Sequence, residues 1–487
     1  MLIGLIISIP LILSVISLVF RKEKALGIVN AFGYCMLLLV CALFVKSFLA
    51  SSQMRLSLWD WLYVDSLSVF FMVTTIIVAF AASIYSVGYI EEEVKEGKVT
   101  LRKAKGYYFL FNLFCFVMLL VIVLNNLALV WIAIEMTTLV SAFLVGFYNA
   151  KESIEAAWKY IIICSVGITF ALLGIIFFYY TSSTHAGVKS LQWLKMLNGA
   201  HLFDPKVVKI ALVFIFVGYG TKAGFAPMHN WLPDAHSQAL SPISGLLSGV
   251  LLKISLYAIL RFVMLANPSV GYAFSAKLFI LFGLCSLAIA AGFIIVQKDL
   301  KRLLAYSSVE HMGVISVGLG LGAAGGIYAA LFHVFNHAVT KAFMFFCAGN
   351  AVRAYRTNNM NKMQGMIQLI PFAGTAIFLG AFALGGLPPF SIFMSEVLIL
   401  IAGFVSKQYF VSALMLIFLA VAFAGLVHHI SKIALGSKSQ SMARQKETLS
   451  TKIALLFLGI FILGLGLKIP YPLFSLLSNC QKLILAQ

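Results

Sequence analysis

Lys222-Ala223-Gly224-Phe225-Ala226-Pro227 and Gly385-Gly386-Leu387-Pro388-Pro389 decide how this chain folds. Each interrupts a long apolar stretch with glycine and proline. Proline removes a backbone donor and obstructs a helix, which lipid tolerates only where protein or water satisfies the freed groups. Each break also has an ionisable residue beside it, Lys222 in the first and Glu396 after the second.

The sequence around the breaks is that of a membrane protein. Apolar residues make up 62% of 487 positions and charged residues 10%, with a mean hydropathy of +1.02. A soluble domain is about half apolar and a quarter charged. A spanning helix needs about 20 apolar residues, because the hydrocarbon layer is ~30 Å thick. Such stretches lie near residues 2–20, 25–50, 63–90, 107–124, 127–147, 157–180, 207–226, 241–265, 274–296, 303–321, 326–350, 367–405 (interrupted), 409–433 and 452–468. The first, Met1 to Phe20, lacks a basic leader and a small-residue cleavage site, so it reads as a retained span. The expected fold is an all-α integral membrane protein of about fourteen helices. It divides into an N-terminal three-helix region (1–106), a core (107–435), and a C-terminal loop with the last helix (436–487).

The breaks fall in the seventh and twelfth spans, an odd number apart, so the two segments run in opposite directions. Broken helices at matching places in two inverted halves point to a transporter's path. This predicts two inverted five-helix repeats, spans 4–8 and 9–13; the alternative is two unrelated kinks. Every second loop carries a basic cluster: Arg21, Lys22 and Lys24; Lys95, Lys98, Arg102, Lys103 and Lys105; Lys151 and Lys159; Lys298, Lys301 and Arg302; Arg353, Arg356 and Lys362; Lys438, Arg444, Lys446 and Lys452. The loop 181–206, with Lys189, Lys195 and Lys206, dissents. The positive-inside rule puts the basic loops in the cytoplasm and both termini outside, in a multi-pass protein of the cell membrane. The same distribution explains the net charge of +19 and excludes nucleic acid as its partner. The seven cysteines are scattered singly, without a CxxC pair, so neither a zinc site nor an iron–sulfur cluster is expected.

Ionisable residues at membrane depth are costly, about 2.5–3.5 kcal/mol each on insertion scales, and are functional candidates. Glu135 sits mid-span in Leu129-Val130-Trp131-Ile132-Ala133-Ile134-Glu135-Met136 with no basic neighbour within a turn or two. Lys222 is its expected partner. A carboxylate nearby favours the ammonium and dehydration favours the free amine, so the pair forms a switchable proton donor, or else a static buried pair. Lys253 is a second lone cation near mid-span, placed to take that proton. His333, His337 and Lys341 recur every fourth residue and share one helical face. Imidazole can donate and accept near neutral pH, which suits a relay; structural hydrogen bonds and metal binding are the alternatives, the latter without a third ligand at suitable spacing. Glu396 offers a terminal acid, and His428 and His429 are further candidates. Gly320-Leu321-Gly322-Ala323-Ala324-Gly325 matches a dinucleotide fingerprint, but it joins two spans and lacks the strand that gives the motif its mechanism.

The runs Trp131 to Glu135, Lys222 to Pro227, Trp231 to His236, Lys298 to Ser308, His333 to Lys341 and Leu387 to Phe390 resemble the antiporter-like subunits of respiratory complex I and Mrp antiporters. The resemblance covers roughly residues 60 to 435. It implies fourteen core helices in inverted repeats and a proton path through Glu135, Lys222, Lys253, the His333/His337/Lys341 face and Glu396. A glutamate at 396, Ala156-Ala157-Trp158-Lys159-Tyr160, and a chain that ends soon after the last span are most similar to the hydrogenase-4 component F branch. That branch implies other membrane subunits and a soluble redox arm of [NiFe] hydrogenase-like and iron–sulfur proteins as partners. No cofactor or metal site is legible in this chain itself, so it is expected to be a non-redox subunit. An Mrp-type Na⁺/H⁺ antiporter subunit and a proton-driven subunit of an inorganic-carbon uptake complex are the alternatives.

Overall fold

The computed structural model describes residues 2–20, 22–51, 55–57, 60–322, 324–437 and 444–485. Met1, Arg21, Ala323 and Lys438, named above, lie outside the described residues. The first helices are α1 (Leu2–Ser17), α2 (Glu23–Ser51), α3 (Ser66–Lys95), α4 (Leu101–Val123), α5 (Leu127–Val145) and α6 (Lys151–His185). Between α2 and α3, the strands Arg55–Ser57 and Leu62–Val64 pair antiparallel. Next come a short α7 (Trp193–Asn198), α8 (Pro205–Ala223), α9 (Trp231–Gln238), α10 (Ser241–Leu246) and α11 (Leu252–Val270). They are followed by α12 (Tyr272–Val296), α13 (Leu300–Gly320) and α14 (Ala324–Tyr355). The chain closes with α15 (Met366–Leu369), α16 (Pro371–Leu384), α17 (Ser391–Val405), α18 (Tyr409–Leu435), α19 (Leu449–Leu467) and α20 (Tyr471–Leu485).

Among the described residues, ten helical segments are long and apolar enough to cross a bilayer, and α1, α16 and α17 are shorter apolar helices. Every apolar stretch predicted from the sequence is helical. The helices α13 and α14 carry too many polar side chains to rank with those ten, yet both are buried among other helices. Burial sorts the helices by role. The segment α10–α11 is wholly enclosed, whereas α6, α18 and α19 leave wide apolar faces exposed. Such faces suit lipid, where an apolar surface costs nothing.

Helix starts follow from short polar side chains. Asp65, Asn126 and Asp299 accept from backbone amides at the first turns of α3, α5 and α13, satisfying donors that a helix leaves unpaired. Both predicted breaks are present. Gly224 ends α8 in the left-handed region (φ 78°), which glycine adopts without a Cβ clash. Gly385 ends α16, and Gly386 (φ 70°) leads through the prolines to α17. A third irregularity went unread: a π-helical turn at Leu247–Leu251 joins α10 to α11 within the stretch taken as a plain span. The sequence reading also stopped at residue 468, whereas α20 follows and packs against α3 and α14 through Leu476, Leu477, Cys480 and Ile484. Its single apolar stripe is too narrow to register as a span.

The basic loops gather on one face. Lys98, Lys301, Arg353 and Arg356 line one cavity there, and Lys159 and Arg302 both pair with Asp234 next to it, at 3.4 and 2.9 Å.

Candidate functional site

Glu135 and Lys222, the residues of the expected gate, are brought near each other by α5 and α8, with α6 alongside. Lys222, in the last turn of α8, is fully buried and donates to the carbonyl of Ile134 and to Thr138 Oγ1 at 2.5 Å. Thr138 in turn donates to Glu135 Oε2 at 3.3 Å, and Ser165 of α6 donates to Oε1 at 2.7 Å. The expected direct ion pair is therefore replaced by a hydroxyl bridge. Thr138 lies one turn beyond Glu135 on α5, on its inner side, while Glu135 itself is half-buried at the edge of the bundle. A hydroxyl that accepts from an ammonium and donates to a carboxylate can pass a proton along the row.

Two lysines occupy the centre. Lys253, just after the π turn, donates to the carbonyl of Ser248 within it. Lys341 of α14 donates to Ser307 Oγ and to the carbonyl of Leu304 at 2.9 Å, both on α13. Ser308 Oγ bonds the same Leu304 carbonyl at 3.0 Å and meets Ser248 Oγ at 2.7 Å. The lysines are thus linked through Ser248, which contributes its carbonyl and its hydroxyl, the Ser308 hydroxyl and the Leu304 carbonyl. Among the described residues neither forms an ion pair with a carboxylate; backbone and hydroxyl dipoles hold them instead.

His333, His337 and Lys341 share a face of α14 as predicted, and that face meets residues the sequence reading passed over. His311 of α13 bonds His333 (Nδ1 to Nε2, 3.0 Å), and its ring stacks on His333 and His337 with centroids 5.2 and 4.8 Å apart. The other nitrogen of His333 bonds Ser395 Oγ at 2.9 Å, and Glu396 Oε1 lies 4.0 Å from His311. Both are on α17, directly after the second break. That break has a local reason: a Cβ on Gly386 would collide with the Glu396 carboxylate. Glu310, beside His311, is also buried. The signal for Glu310 and His311 was available, since both sit near the middle of the predicted 303–321 span and the rule applied to Glu135 applies equally to them.

The fold gathers a group of potential metal ligands other than the His333/His337 pair weighed in the sequence. His311, His333 and Glu396 bring ligand atoms within 4.8 Å of one another, a donor set of a kind that holds zinc. Distant segments make this set, so spacing within one helix could not reveal it. The 3.0 Å bond between the two imidazoles already engages one nitrogen of each. Among the described residues, the ring nitrogens of His337 and Oε1 of Glu396 have no hydrogen-bond partner although buried. In proteins such groups are paired by ordered water, so the cluster is suited to a hydrated relay. His428 and His429 lie away from it on α18, and His429 meets the carbonyl of Ile295 at 3.0 Å.

The polar row approaches the surface beneath the basic loops. A cavity of about 550 Å³ is lined there by Glu93, Lys98, Tyr148, Lys301 and Arg353 among others. Glu93 accepts from Tyr148 Oη at 2.9 Å, and Lys301 donates to the carbonyl of Ala239 at 2.9 Å. His236, a turn before Ala239, is buried, has no hydrogen-bond partner for either ring nitrogen among the described residues, and stacks on Phe345 of α14. A further buried pair was missed as well. Arg261 of α11 grips Asp65 through two bonds of 2.5 and 2.8 Å, bonds Tyr257 and Ser68, and lies 4.7 Å from the Trp193 ring. It ties α11 to the start of α3 and stands apart from the lysine–histidine row.

Residues 125–424 match the family model described as NADH:quinone oxidoreductase/Mrp antiporter, transmembrane. The chain is 34% identical over 428 residues to a hydrogenase-4 component F homolog of Methylacidiphilum infernorum, covering 86% of this chain and 88% of that one. It is 32% identical over 337 residues to NADH-quinone oxidoreductase subunit N of Desulforudis audaxviator, covering 69% and 65% respectively. A chain from the structure of the membrane-bound sulfane sulfur reductase, an archaeal respiratory membrane complex, superposes with a TM-score of 0.87. That match covers 99% of this chain and 97% of the other at 23% identity, a likeness of fold. With the family model spanning well over half of its length, the chain belongs to the NADH:quinone oxidoreductase/Mrp antiporter membrane family.

Proposed function

We propose that this chain is the proton-translocating membrane subunit of a redox-driven complex of the hydrogenase-4 and NADH:quinone oxidoreductase type. The observation that carries the reading is a set of three polar clusters inside the bundle: Lys222 and Thr138 beside the half-buried Glu135, Lys253 and Lys341 linked through Ser248, Ser308 and Leu304, and the three histidines with Glu396. Isolated ionisable groups at membrane depth are costly, and a scaffold has no need of so many. Glu135 and Lys222 serve as the gate, Lys253 and the His333/His337/Lys341 face as relay, and Glu396 as the exit-side acid. Glu135 lies at the edge of the bundle, where a neighbouring subunit's charge can draw on it and release the Lys222 proton. The cavity beneath the basic loops supplies protons through Glu93 and Lys301. By the positive-inside rule that face is cytoplasmic and both termini lie outside. The paired breaks around Gly224 and Gly386 support two inverted five-helix repeats within about fourteen spans. Electron transfer belongs to partner subunits, a [NiFe] hydrogenase-like arm being the one favoured by the component F similarity.

The test uses the assembled complex in inverted membrane vesicles. Glu135→Gln and Lys222→Ala are expected to abolish acidification driven by the complex's electron donor while leaving the chain in the membrane. Unchanged acidification would refute the gate. The family description names Mrp antiporters alongside NADH:quinone oxidoreductase, which keeps the Mrp-type alternative. That alternative predicts Na⁺-dependent pH changes in vesicles given no electron donor, and co-purification with small membrane subunits but no redox protein.

A further inference from the structure

Helices α14, α16 and α19 enclose a cleft of about 620 Å³ that takes no part in the row described above. Its walls are apolar along nearly all of α16, a 14-residue helix. At 1.5 Å per residue that is roughly 20 Å, somewhat more than one leaflet's share of the ~30 Å hydrocarbon core. The floor is kept open by small side chains, including Ala376 and Gly380 on α16 and Gly459 on α19. The mouth is of different character. Arg444, from the last loop, and Lys452, in the first turn of α19, line it, and Lys452 lies 5.8 Å from the Phe372 ring. Glu447, also at the mouth, is engaged elsewhere: its two oxygens accept from the amides of Phe372 and Ala373 at 3.0 and 2.7 Å, capping α16.

A slot of acyl-chain length that ends under two cations matches one class of ligand. We propose that this cleft binds an anionic glycerophospholipid, with one acyl chain lying between α16 and α19 and the headgroup phosphate held by Arg444 and Lys452. The headgroup end lies on the side of the basic loops, where anionic lipid of the cytoplasmic leaflet attracts basic residues. Phe343 lines the inner wall two residues from Lys341, so the bound lipid braces the helix that carries the relay.

The experiment uses the tagged chain purified in mild detergent from its own membranes, together with whatever subunits accompany it. It is equilibrated with mixed micelles of phosphatidylglycerol and phosphatidylcholine, and retained lipid is quantified by mass spectrometry. Wild type is expected to retain phosphatidylglycerol well above its share of the micelle. A basic group near an anionic surface contributes a factor of about five, so R444Q/K452Q is expected to lose roughly 30-fold of that preference. Gly459→Leu keeps both charges and fills the slot; a Cβ there meets nothing within 4 Å, and this variant is expected to lose retained lipid of both kinds. Retention at the micelle ratio in wild type, or wild-type retention in both variants, would overturn the proposal. Loss of an accompanying subunit from G459L with lipid unchanged would also overturn it and assign the cleft to a protein neighbour. Should G459L fail to fold, the R444Q/K452Q pair at the mouth decides the matter alone.

Discussion

Replacing Thr138 with valine isolates the contact on which the gate depends. Its hydroxyl accepts from Lys222 at 2.5 Å and donates to Glu135 at 3.3 Å; valine keeps the outline of the side chain and deletes both. A hydrogen bond to a charged group is worth about 1.5–3 kcal/mol net, and the longer second contact adds at most ~1 kcal/mol. Lys222 keeps the Ile134 carbonyl, so the substitution costs it part of its solvation rather than all. At 1.4 kcal/mol per factor of ten, the loss corresponds to at least a tenfold fall in the rate at which the gate passes a proton.

The assay is dye-reported acidification of inverted vesicles containing the assembled complex, driven by its own electron donor and normalised to the amount of chain. Thr138→Ser restores the hydroxyl and serves as the control, with a rate expected within about threefold of wild type, since only a methyl group is lost. Full-rate pumping by T138V would show that Lys222 and Glu135 communicate without the bridge. If T138S were as slow as T138V, packing rather than the hydroxyl would be responsible. Either result refutes the relay through Thr138.

Three further outcomes are expected. Arg261→Leu leaves Asp65 buried without its partner and costs about 3–5 kcal/mol, read as a lowered unfolding midpoint in detergent; an unchanged midpoint would show that Asp65 finds another partner. Gly386→Ala imposes a left-handed strain of about 1–2 kcal/mol and drives a methyl group into the Glu396 carboxylate. Its pumping rate is expected to fall far more than its melting temperature, and wild-type pumping would sink the assignment of Glu396. Lys301→Met keeps the apolar stem but removes the charged donor at the inner end of the cavity, and a fall of about tenfold in pumping follows from the loss of one charge-assisted hydrogen bond. Wild-type pumping by K301M would move proton uptake elsewhere.

Composition and the two proline breaks were enough to read a helical membrane protein and to locate Lys222 and Glu396, because both signals are local. Glu135, Lys253, His333, His337 and Lys341 were legible for the same reason: each is a polar residue inside an apolar run. Thr138, Ser307, Ser308 and Ser395 were not. Serine and threonine are common in membrane helices, and nothing in a single helix says which hydroxyl faces a lysine on another. The closure of His311, His333 and Glu396 depends on how α13, α14 and α17 cross, which no spacing rule encodes. Asp65 and Arg261 are separated by almost two hundred positions and meet only after folding. The π turn has no proline or glycine signature strong enough to separate it from the helix around it.

The irregular backbone and the buried charges have one physical explanation. A regular helix turns all its carbonyls and amides inward along its own axis and offers an ion little solvation. At three of the places among the described residues where helix geometry is interrupted, an ionisable side chain sits alongside. Lys222 stands at the end of α8 where Gly224 stops it. Lys253 donates to a carbonyl within the π turn, and the Glu396 carboxylate rests against the bare backbone of Gly386. Filling the bend at Gly386 with a side chain would displace the acid, and regularising the π turn would shift the Ser248 carbonyl that receives Lys253. The π turn therefore contributes directly to the solvation of Lys253, and the bend at Gly386 makes room for the Glu396 carboxylate. A variant that straightens one of them is expected to lose proton transfer before it loses its place in the membrane.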